Sequence, residues 1–358
     1  MTSPRGRVSR RKTRSVLVGN VRIGGRAPIT VQSMTKTDTR DISKTIAQIE
    51  RLRRAGCEIV RLAVVDDAAA VAFGKIRKHV KLPLVADIHF DYRLALAAIE
   101  QGADKVRINP GNIGARWKVE EIIRCAADHG TAIRIGVNAG SVEKEILKKT
   151  GRASTQALVE SVRRSVDIFS AARFNRVVLS AKAAGALETI KACQRLARDY
   201  DYPLHLGITE SGLTFRGGIR SAVGLGVLLY EGIGDTIRVS LTGDPVAEVI
   251  AGYEILKSLQ IREYGPVVIS CPTCGRCRID LVKIAGQVED ALVGFTRPLK
   301  VAVMGCSVNG PGEARAADFG IAGGRGAGVI FRKGKIVKKV AESALVAGLL
   351  TEIRKEVE

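Results

Sequence analysis

With 358 residues, 46% of them apolar, the chain is too long for one small domain and has ample material for a buried core. No apolar run approaches a membrane span and no signal-type apolar stretch follows the N-terminus, which points to a soluble, cytoplasmic protein without a membrane partner. The 57 Lys plus Arg against 36 Asp plus Glu leave a net charge of +21, which raises nucleic acid, an anionic membrane surface or an anionic substrate as partners. Aromatic residues at 4% argue against a stacking platform for single-stranded nucleic acid.

The chain opens on a basic segment, Arg5 to Arg14, with six basic residues and no acid. It reads as a disordered, solvated tail covering 1–14, with a targeting peptide or a nucleic-acid arm as the alternatives. From Ala27 to about Leu259 one phrase recurs eight times: a short β-branched run ending in polar residues, then a helical segment. The predicted strands are 29–32, 59–63, 84–87, 105–108, 132–137, 176–180, 204–208 and 236–240. Helical patterns such as 42–55, 92–101 and 246–259 lie between and after them, some ending near Gly56 or Gly102. Eight such units in series predict a closed parallel TIM-like (β/α)8 barrel over 1–265. The lysine-rich stretch Ser141–Ser154 departs from the rhythm and reads as a loop or short extra helix over the barrel mouth.

After Gly265 the pattern changes to a smaller α/β domain over 266–358. A strand runs into Cys271-Pro-Thr-Cys274-Gly-Arg-Cys277, followed by a helix over 281–292 and a strand over 299–304. The glycine-rich loop Gly305–Gly312, short strands over 319–337 with a turn at Lys333-Gly334, and a final helix complete it.

Catalytic groups of such a barrel sit where strands end and loops begin. Those positions carry Arg61, Asp87, His89, Arg107, Asn109, Arg134, Asn138, Ser180, Lys182, His205, Glu210, Arg238 and Ser240. Arg61, Arg107, Arg134, Lys182 and Arg238 bring cations from different strands, where a core strand normally carries Val or Ile. A buried unpaired guanidinium costs several kcal/mol, so an anion is expected among them. Guanidinium forks match phosphate oxygens in pairs, and a diphosphate is the simplest candidate. For any one arginine alone, an ion pair with a neighbouring carboxylate explains it as well. The loops at Asn109–Gly114 and Gly136–Gly140 could add backbone N–H groups. Glu210, just past a strand, is either a proton donor with a raised pKa or the ion-pair partner of an arginine.

Cys57, Cys125 and Cys193 lie in apolar contexts and read as core residues. Cys271-x-x-Cys274 in a strand exit, with Cys306 leaving the next strand, has ligand spacing for zinc or an iron–sulfur cluster. Spacing alone leaves both open, and leaves open whether Cys277 ligates.

The stretches Val31-Gln-Ser-Met-Thr35, Val85-Ala-Asp-Ile-His-Phe90, Arg107-Ile-Asn-Pro-Gly111, Leu204-His-Leu-Gly-Ile-Thr-Glu210, Ser270-Cys-Pro-Thr-Cys-Gly-Arg276 and Gly305-Cys-Ser-Val-Asn-Gly-Pro-Gly-Glu313 occur in this order. Together they resemble the 4-hydroxy-3-methylbut-2-enyl diphosphate synthase family, and the match runs from about Arg10 to about Lys338. The resemblance implies a barrel followed by a cluster domain, in a homodimer. It implies a [4Fe–4S] cluster held by Cys271, Cys274, Cys306 and Glu313, with Cys277 a bystander, and flavodoxin or ferredoxin as electron donor. The implied reaction is two-electron reductive ring opening and dehydration of 2-C-methyl-D-erythritol 2,4-cyclodiphosphate, in isoprenoid precursor synthesis. Glu210 then protonates the departing hydroxyl while the barrel cations hold the diphosphate. Carboxylate is held more weakly on iron than thiolate, so Glu313 leaves an exchangeable position. Two rivals remain on the residues alone: a zinc-knuckle nucleic-acid binder, and a pterin- or phosphate-using barrel with a structural metal domain.

Overall fold

The computed structural model describes residues 8–357 apart from 152–153, 184, 210, 307–314 and 325. Two compact units divide it, Met1–Arg262 and Glu263–Glu358.

The first unit begins with a hairpin, β1 (Ser15–Val18) and β2 (Val21–Gly24), which the sequence reading missed. Eight parallel strands follow: β3 (Thr30–Met34), β4 (Ile59–Ala63), β5 (Leu84–Asp87), β6 (Lys105–Ile108), β7 (Ala132–Asn138), β8 (Val177–Lys182), β9 (His205–Leu206) and β10 (Thr236–Ile237). They are hydrogen-bonded in the order β8-β7-β6-β5-β4-β3-β10-β9. A bridge between Leu179 and Leu204, with Leu179 N–H donating to Pro203 O at 2.9 Å, closes the ring. The ladders of β9 and β10 are shorter than expected, two residues each.

Asp41, Asp66, Asp91, Ser154 and Asp244 each accept a hydrogen bond from a first-turn N–H and so start barrel helices where the strand-to-helix loops end. The helices Ile42–Arg54 and Tyr92–Glu100 stop before Gly56 and Gly102, whose φ of 96° and 87° suit glycine. The lysine-rich stretch holds a short helix, Lys144–Thr150.

Val16, Val18 and Ile23 of the hairpin pack against Ile59, Val85, Ala132 and Val178, which lie early in β4, β5, β7 and β8. The hairpin therefore plugs the N-terminal end of the barrel, and each of its buried side chains contributes about 1.5–3 kcal/mol. Access to the interior is left to the C-terminal ends of the strands.

The expectation of a disordered tail over 1–14 needs correction for its described part. Arg10 pairs with Asp235 at 2.8 Å, and Arg11 donates to Tyr200 O at 2.7 Å and to Tyr202 O at 2.5 Å. Arg14 meets Asp201 at 2.7 Å and lies over the Tyr202 ring. These arginines cap the loops that enter β9 and β10, so their charge is structural. Residues 1–7 lie outside the described residues.

In the second unit β11 (Pro266–Ser270), β12 (Leu299–Met304) and β13 (Phe319–Gly323) are parallel, and β14 (Ala327–Arg332) and β15 (Lys335–Ala341) continue the sheet antiparallel. Lys333 and Gly334, with φ of 47° and 77°, form the tight turn expected there. The helices Leu281–Leu292 and Leu345–Val357 cover one face, burying Val288, Leu349 and Ile353 against Val301, Phe319 and Ile330. This is the smaller α/β domain expected from the sequence.

Candidate active site

Because side chains alternate along a strand, Arg61, Asp87, Arg107, Arg134, Lys182, His205 and Arg238 all fall on the inner side of the barrel. Cross-strand register sets Asp87 beside Arg107 and Arg107 beside Arg134. Asp87 accepts from Arg107 at 3.1 Å and lies 3.6 Å from Arg61. Burial alone would raise its carboxyl, but Arg61, His89, Arg107 and Arg134 outweigh burial and hold it well below the usual range. Arg107 also donates to His89 Nε2 at 2.8 Å and to Gly136 O at 2.9 Å. That approach requires glycine, since a Cβ at Gly136 would sit 2.5 Å from Arg107 Nε.

Burial, partly offset by Asp87, lowers the Arg61 guanidinium to about 10. Its Nε and Nη2 point at Met34 Sδ, 3.1 and 3.0 Å away. Arg134 is almost wholly buried, and its Nε and Nη1 have no hydrogen-bond partner. Burial first, then Arg61 and Arg107, work against its cation. Lys182 Nζ lies 3.2 Å from His205 Nε2, and His205 Nδ1 lies 3.4 Å from Thr236 Oγ1. Burial and Lys182 push His205 well below its ordinary value, so its ring is neutral.

Three contributors escaped the sequence reading. Glu248, wholly buried on the helix Pro245–Ser258, holds Arg238 through both oxygens at 3.2 Å and accepts from Ser33 Oγ at 3.0 Å. Lys36 reaches the same carboxylate at 3.2 Å. Lys105 is fully buried in β6 with no hydrogen-bond partner for Nζ. The strand-parity argument that selects Arg107 also selects Lys105 two residues earlier; nothing local marks Glu248. Among the described residues, Arg61, Lys105, Arg107, Arg134, Lys182 and Arg238 thus share the interior with the carboxylates Asp87 and Glu248. Cations exceed anions, and Arg134 faces the surplus unanswered.

Other predicted residues stand at the rim. Asn109 is committed to its loops, donating to Ser141 O at 2.6 Å and accepting from Gly111 N–H. Asn138 ends β7 opposite Lys182 in register, Ser180 is buried below it, and Ser240 is half-buried past β10. His89 is exposed, and the following Phe90 holds φ of 66°, a costly conformation for an aromatic residue, with its ring open to solvent. Glu210 lies outside the described residues.

In the second unit, Cys271 and Cys306 leave the adjacent parallel strands β11 and β12 at the same end. Gly305 N–H donates to Cys271 Sγ at 3.3 Å, the kind of bond that stabilises a thiolate. A Cβ on Gly305 would lie 2.5 Å from Cys277 Sγ, so the sulfurs of Cys271 and Cys277 both stand against one glycine beside Cys306. Cys277 Sγ lies 3.2 Å from Ile279 O, within hydrogen-bond reach. Cys274 is exposed in the loop between. No group of three or more His, Cys, Asp or Glu among the described residues stands ready to hold a metal ion, and Glu313 lies outside them. The soft donors gathered at two strand exits, with a backbone amide on one sulfur, fit a thiolate-held cluster. Of the remaining cysteines, Cys57 and Cys193 are core residues with thiols pushed by burial up to about 12. Cys125 is a correction: it is only half-buried, on the solvent side of the helix Arg116–Asp128, near His129.

A barrel with a buried cationic interior, followed in the chain by an α/β unit whose cysteines stand at adjacent strand exits, defines the class of two-unit protein by its fold. Residues 13–253 match the GcpE TIM-barrel domain, and residues 267–355 match the GcpE protein C-terminal domain. The chain belongs to the GcpE family. It is 55% identical over 348 residues to the 4-hydroxy-3-methylbut-2-en-1-yl diphosphate synthase (flavodoxin) of Thermodesulfovibrio yellowstonii, covering 97% of this chain and 100% of that one. It is 56% identical over 344 residues to the enzyme of that name from Geobacter sulfurreducens, covering 96% and 98%. Among solved structures, a dihydropteroate synthase from Stenotrophomonas maltophilia aligns with TM-score 0.50 at 11% identity, over 69% of this chain and 98% of that one. That likeness concerns the barrel fold alone.

Proposed function

We propose that this protein converts 2-C-methyl-D-erythritol 2,4-cyclodiphosphate to 4-hydroxy-3-methylbut-2-enyl diphosphate, with flavodoxin as electron donor. The observation that carries the reading is the surplus of buried cations around Arg134, whose guanidinium has two nitrogens without a partner. A buried charge left in that state costs several kcal/mol and is retained where a ligand answers it.

The reaction consumes two electrons and one proton. The bond between carbon and the bridging phosphate oxygen breaks, a hydroxyl leaves as water, and a carbon–carbon double bond forms. The freed phosphate oxygen adds one negative charge to the diphosphate. Arg61, Arg107, Arg134, Lys182 and Arg238 bind and orient the diphosphate and stabilise that added charge. Their positions on strand backbones let them do so with little reorganisation. Asp87 keeps Arg61 and Arg107 aimed inward, and Glu248 does the same for Arg238. Asn109, Asn138, Ser180, Ser240, His89 and His205 complete the lining, and Glu210 delivers the proton to the departing hydroxyl.

We assign a [4Fe–4S] cluster to Cys271, Cys274, Cys306 and Glu313; when bound it supplies electrons one at a time and an electrophilic iron. Cys277, whose Sγ faces Ile279 O at 3.2 Å, stays outside that set. No disulfide joins the seven cysteines, which suits a reducing cytoplasm, and no helix among the described residues is long and apolar enough to cross a membrane. A homodimer is supported by the helix Thr214–Tyr230, which exposes Phe215, Ile219, Val223, Val227 and Tyr230 along one face.

The test is anaerobic iron and sulfide analysis of the purified protein, coupled to turnover of the cyclic diphosphate with reduced flavodoxin. About four irons and four sulfides per chain with turnover support the reading. A colourless, zinc-containing protein that leaves the cyclic diphosphate intact overturns it.

A further inference from the structure

Beneath the cations assigned to the substrate, the barrel interior stays polar where such barrels are normally filled with Val, Ile and Leu. Thr30, Gln32 and Lys105 are buried there, and Thr30 Oγ1, both side-chain polar atoms of Gln32 and Lys105 Nζ have no hydrogen-bond partner. Among the described residues, Lys105 and His205 are the titratable groups at this level, and Lys105 is the one whose side-chain nitrogen has no hydrogen-bond partner.

We propose that Lys105 is a charge-balancing, positioning residue: a neutral amine in the free protein, it takes a proton from solvent when the diphosphate enters the barrel, so that substrate binding is coupled to proton uptake. The inference rests on the reading that the barrel binds the cyclic diphosphate.

The surroundings of Lys105 carry the argument. Its register neighbours on β5 and β7 are Val85 and Ala132, which offer nothing to an ammonium. The helix Tyr92–Glu100, packed on the outer side of β6, buries only Leu94, Ala95, Ala98 and Ile99. The charged or titratable groups facing Lys105 from other elements are Arg134 on β7, Arg61 on β4 and His205 on β9. Asp104, next to it in the chain, is the carboxylate within reach. Its Oδ2 accepts from Leu84 N–H at 2.8 Å and lies 3.5 Å from Arg77. Asp87 is engaged by Arg61 and Arg107, and Glu248 by Arg238 and Lys36. Lys182 differs, because its Nζ has His205 Nε2 at 3.2 Å as a partner. Burial, then Arg134 and Arg61, disfavour the Lys105 cation in this setting.

The substrate reverses that balance. Each phosphate of a cyclic diphosphate holds one negative charge that persists across neutral pH, since neither keeps a second ionisable proton. Its arrival offsets the repulsion from Arg134 and Arg61, and the ammonium form becomes the stable one. The proton then comes from buffer, and none comes from the ligand.

The experiment is calorimetric titration of the full-length, cluster-loaded protein with the cyclic diphosphate, done anaerobically at one pH in buffers of different ionisation enthalpy, then repeated across pH. Uptake of about one proton per site is expected, with affinity falling up to about tenfold per pH unit as pH rises through the transition. Lys105→Met, and Lys105→Gln as a second variant that keeps a polar head, should each bind with the uptake and the pH slope removed. A merely structural lysine would alter stability or affinity without changing the proton count. Tight binding by the parent with no uptake, or unchanged uptake in either folded variant, overturns the inference alone. Failure of the parent to bind overturns the functional reading, and the inference with it.

Discussion

Arg107 and Arg134 are neighbours in register, yet they have different things to lose. Arg107 answers Asp87, His89 and Gly136 O, whereas Arg134 leaves two nitrogens unanswered. Removing an unpaired buried charge is often neutral or stabilising, while removing one partner of a buried pair strands the other. Arg134→Met is therefore expected to keep or raise the melting temperature, and Arg107→Met to lower it. Both should weaken diphosphate binding by about 2–4 kcal/mol, because a charge-assisted bond to the ligand is lost. Equal affinity to the parent in both variants would show that the cup holds something else.

Lys105 carries a stability consequence whose sign differs from that of a salt-bridged lysine. Its folded-state pKa is depressed, so below the unfolded value of about 10.4 the unfolded chain binds the extra proton and folding is penalised. That penalty shrinks as pH rises toward 10. Lys105→Met should thus stabilise the protein at neutral pH, and the gain over the parent should narrow at alkaline pH. Thermal melts of the two proteins over this range would expose a constant gain, which the account does not allow. For Glu210, the substitution to Gln keeps shape but carries no transferable proton, so kcat should fall by about 10²–10⁴ with KM nearly unchanged.

At the scale of elements, the exits of β11 and β12 carry cysteines assigned to the proposed cluster. The absence of a side chain at residue 305 lets Cys277 Sγ approach it, since a Cβ there would lie 2.5 Å away, while Cys271 Sγ accepts from its N–H at 3.3 Å. Gly305→Ala is expected to leave the sheet and its helices folded and to keep most of the iron, because the side chain it displaces is that of Cys277, which is outside the assigned ligand set. Cys277→Ser should retain its iron, whereas Cys306→Ser should lose it. Circular dichroism alongside iron analysis separates these outcomes, and loss of iron in Cys277→Ser with full loading in Cys306→Ser would reverse the ligand assignment. In the barrel, the β1–β2 hairpin is the element that makes the other end the mouth. Its sequence signal is the pair Gly19-Asn20, with φ of 56° at Gly19, between two four-residue runs, and it was overshadowed by the charge of the basic segment beside it.

At the scale of the whole molecule, the exposed stripe on Thr214–Tyr230 bears on assembly. Gly218 and Gly226 on that helix have open space where a Cβ would stand, which would let another helix approach closely. A double substitution of Ile219 and Val223 by Glu should yield monomers in sedimentation experiments without unfolding the barrel. Dimers that persist would move the interface elsewhere.

The sequence by itself determined the two-unit architecture, because alternating apolar runs and capped helices are local patterns that need no partner to be read. It also determined which strands place cations at the barrel mouth, since side-chain parity follows from the strand alone, and which cysteines leave adjacent strand ends. Tertiary structure alone decided which cations are neutralised. That choice depends on cross-strand register and on a helix arriving from elsewhere: Asp87 could face Arg107 only once β5 and β6 were aligned, and Glu248 could reach Arg238, Lys36 and Ser33 only once Pro245–Ser258 had packed against β3. The same closure turned Arg10, Arg11 and Arg14 from an apparent tail into caps for loops 187 to 225 residues away. Pairing of charges is a property of distance in the folded molecule, and distance of that kind is not written in any local stretch of chain.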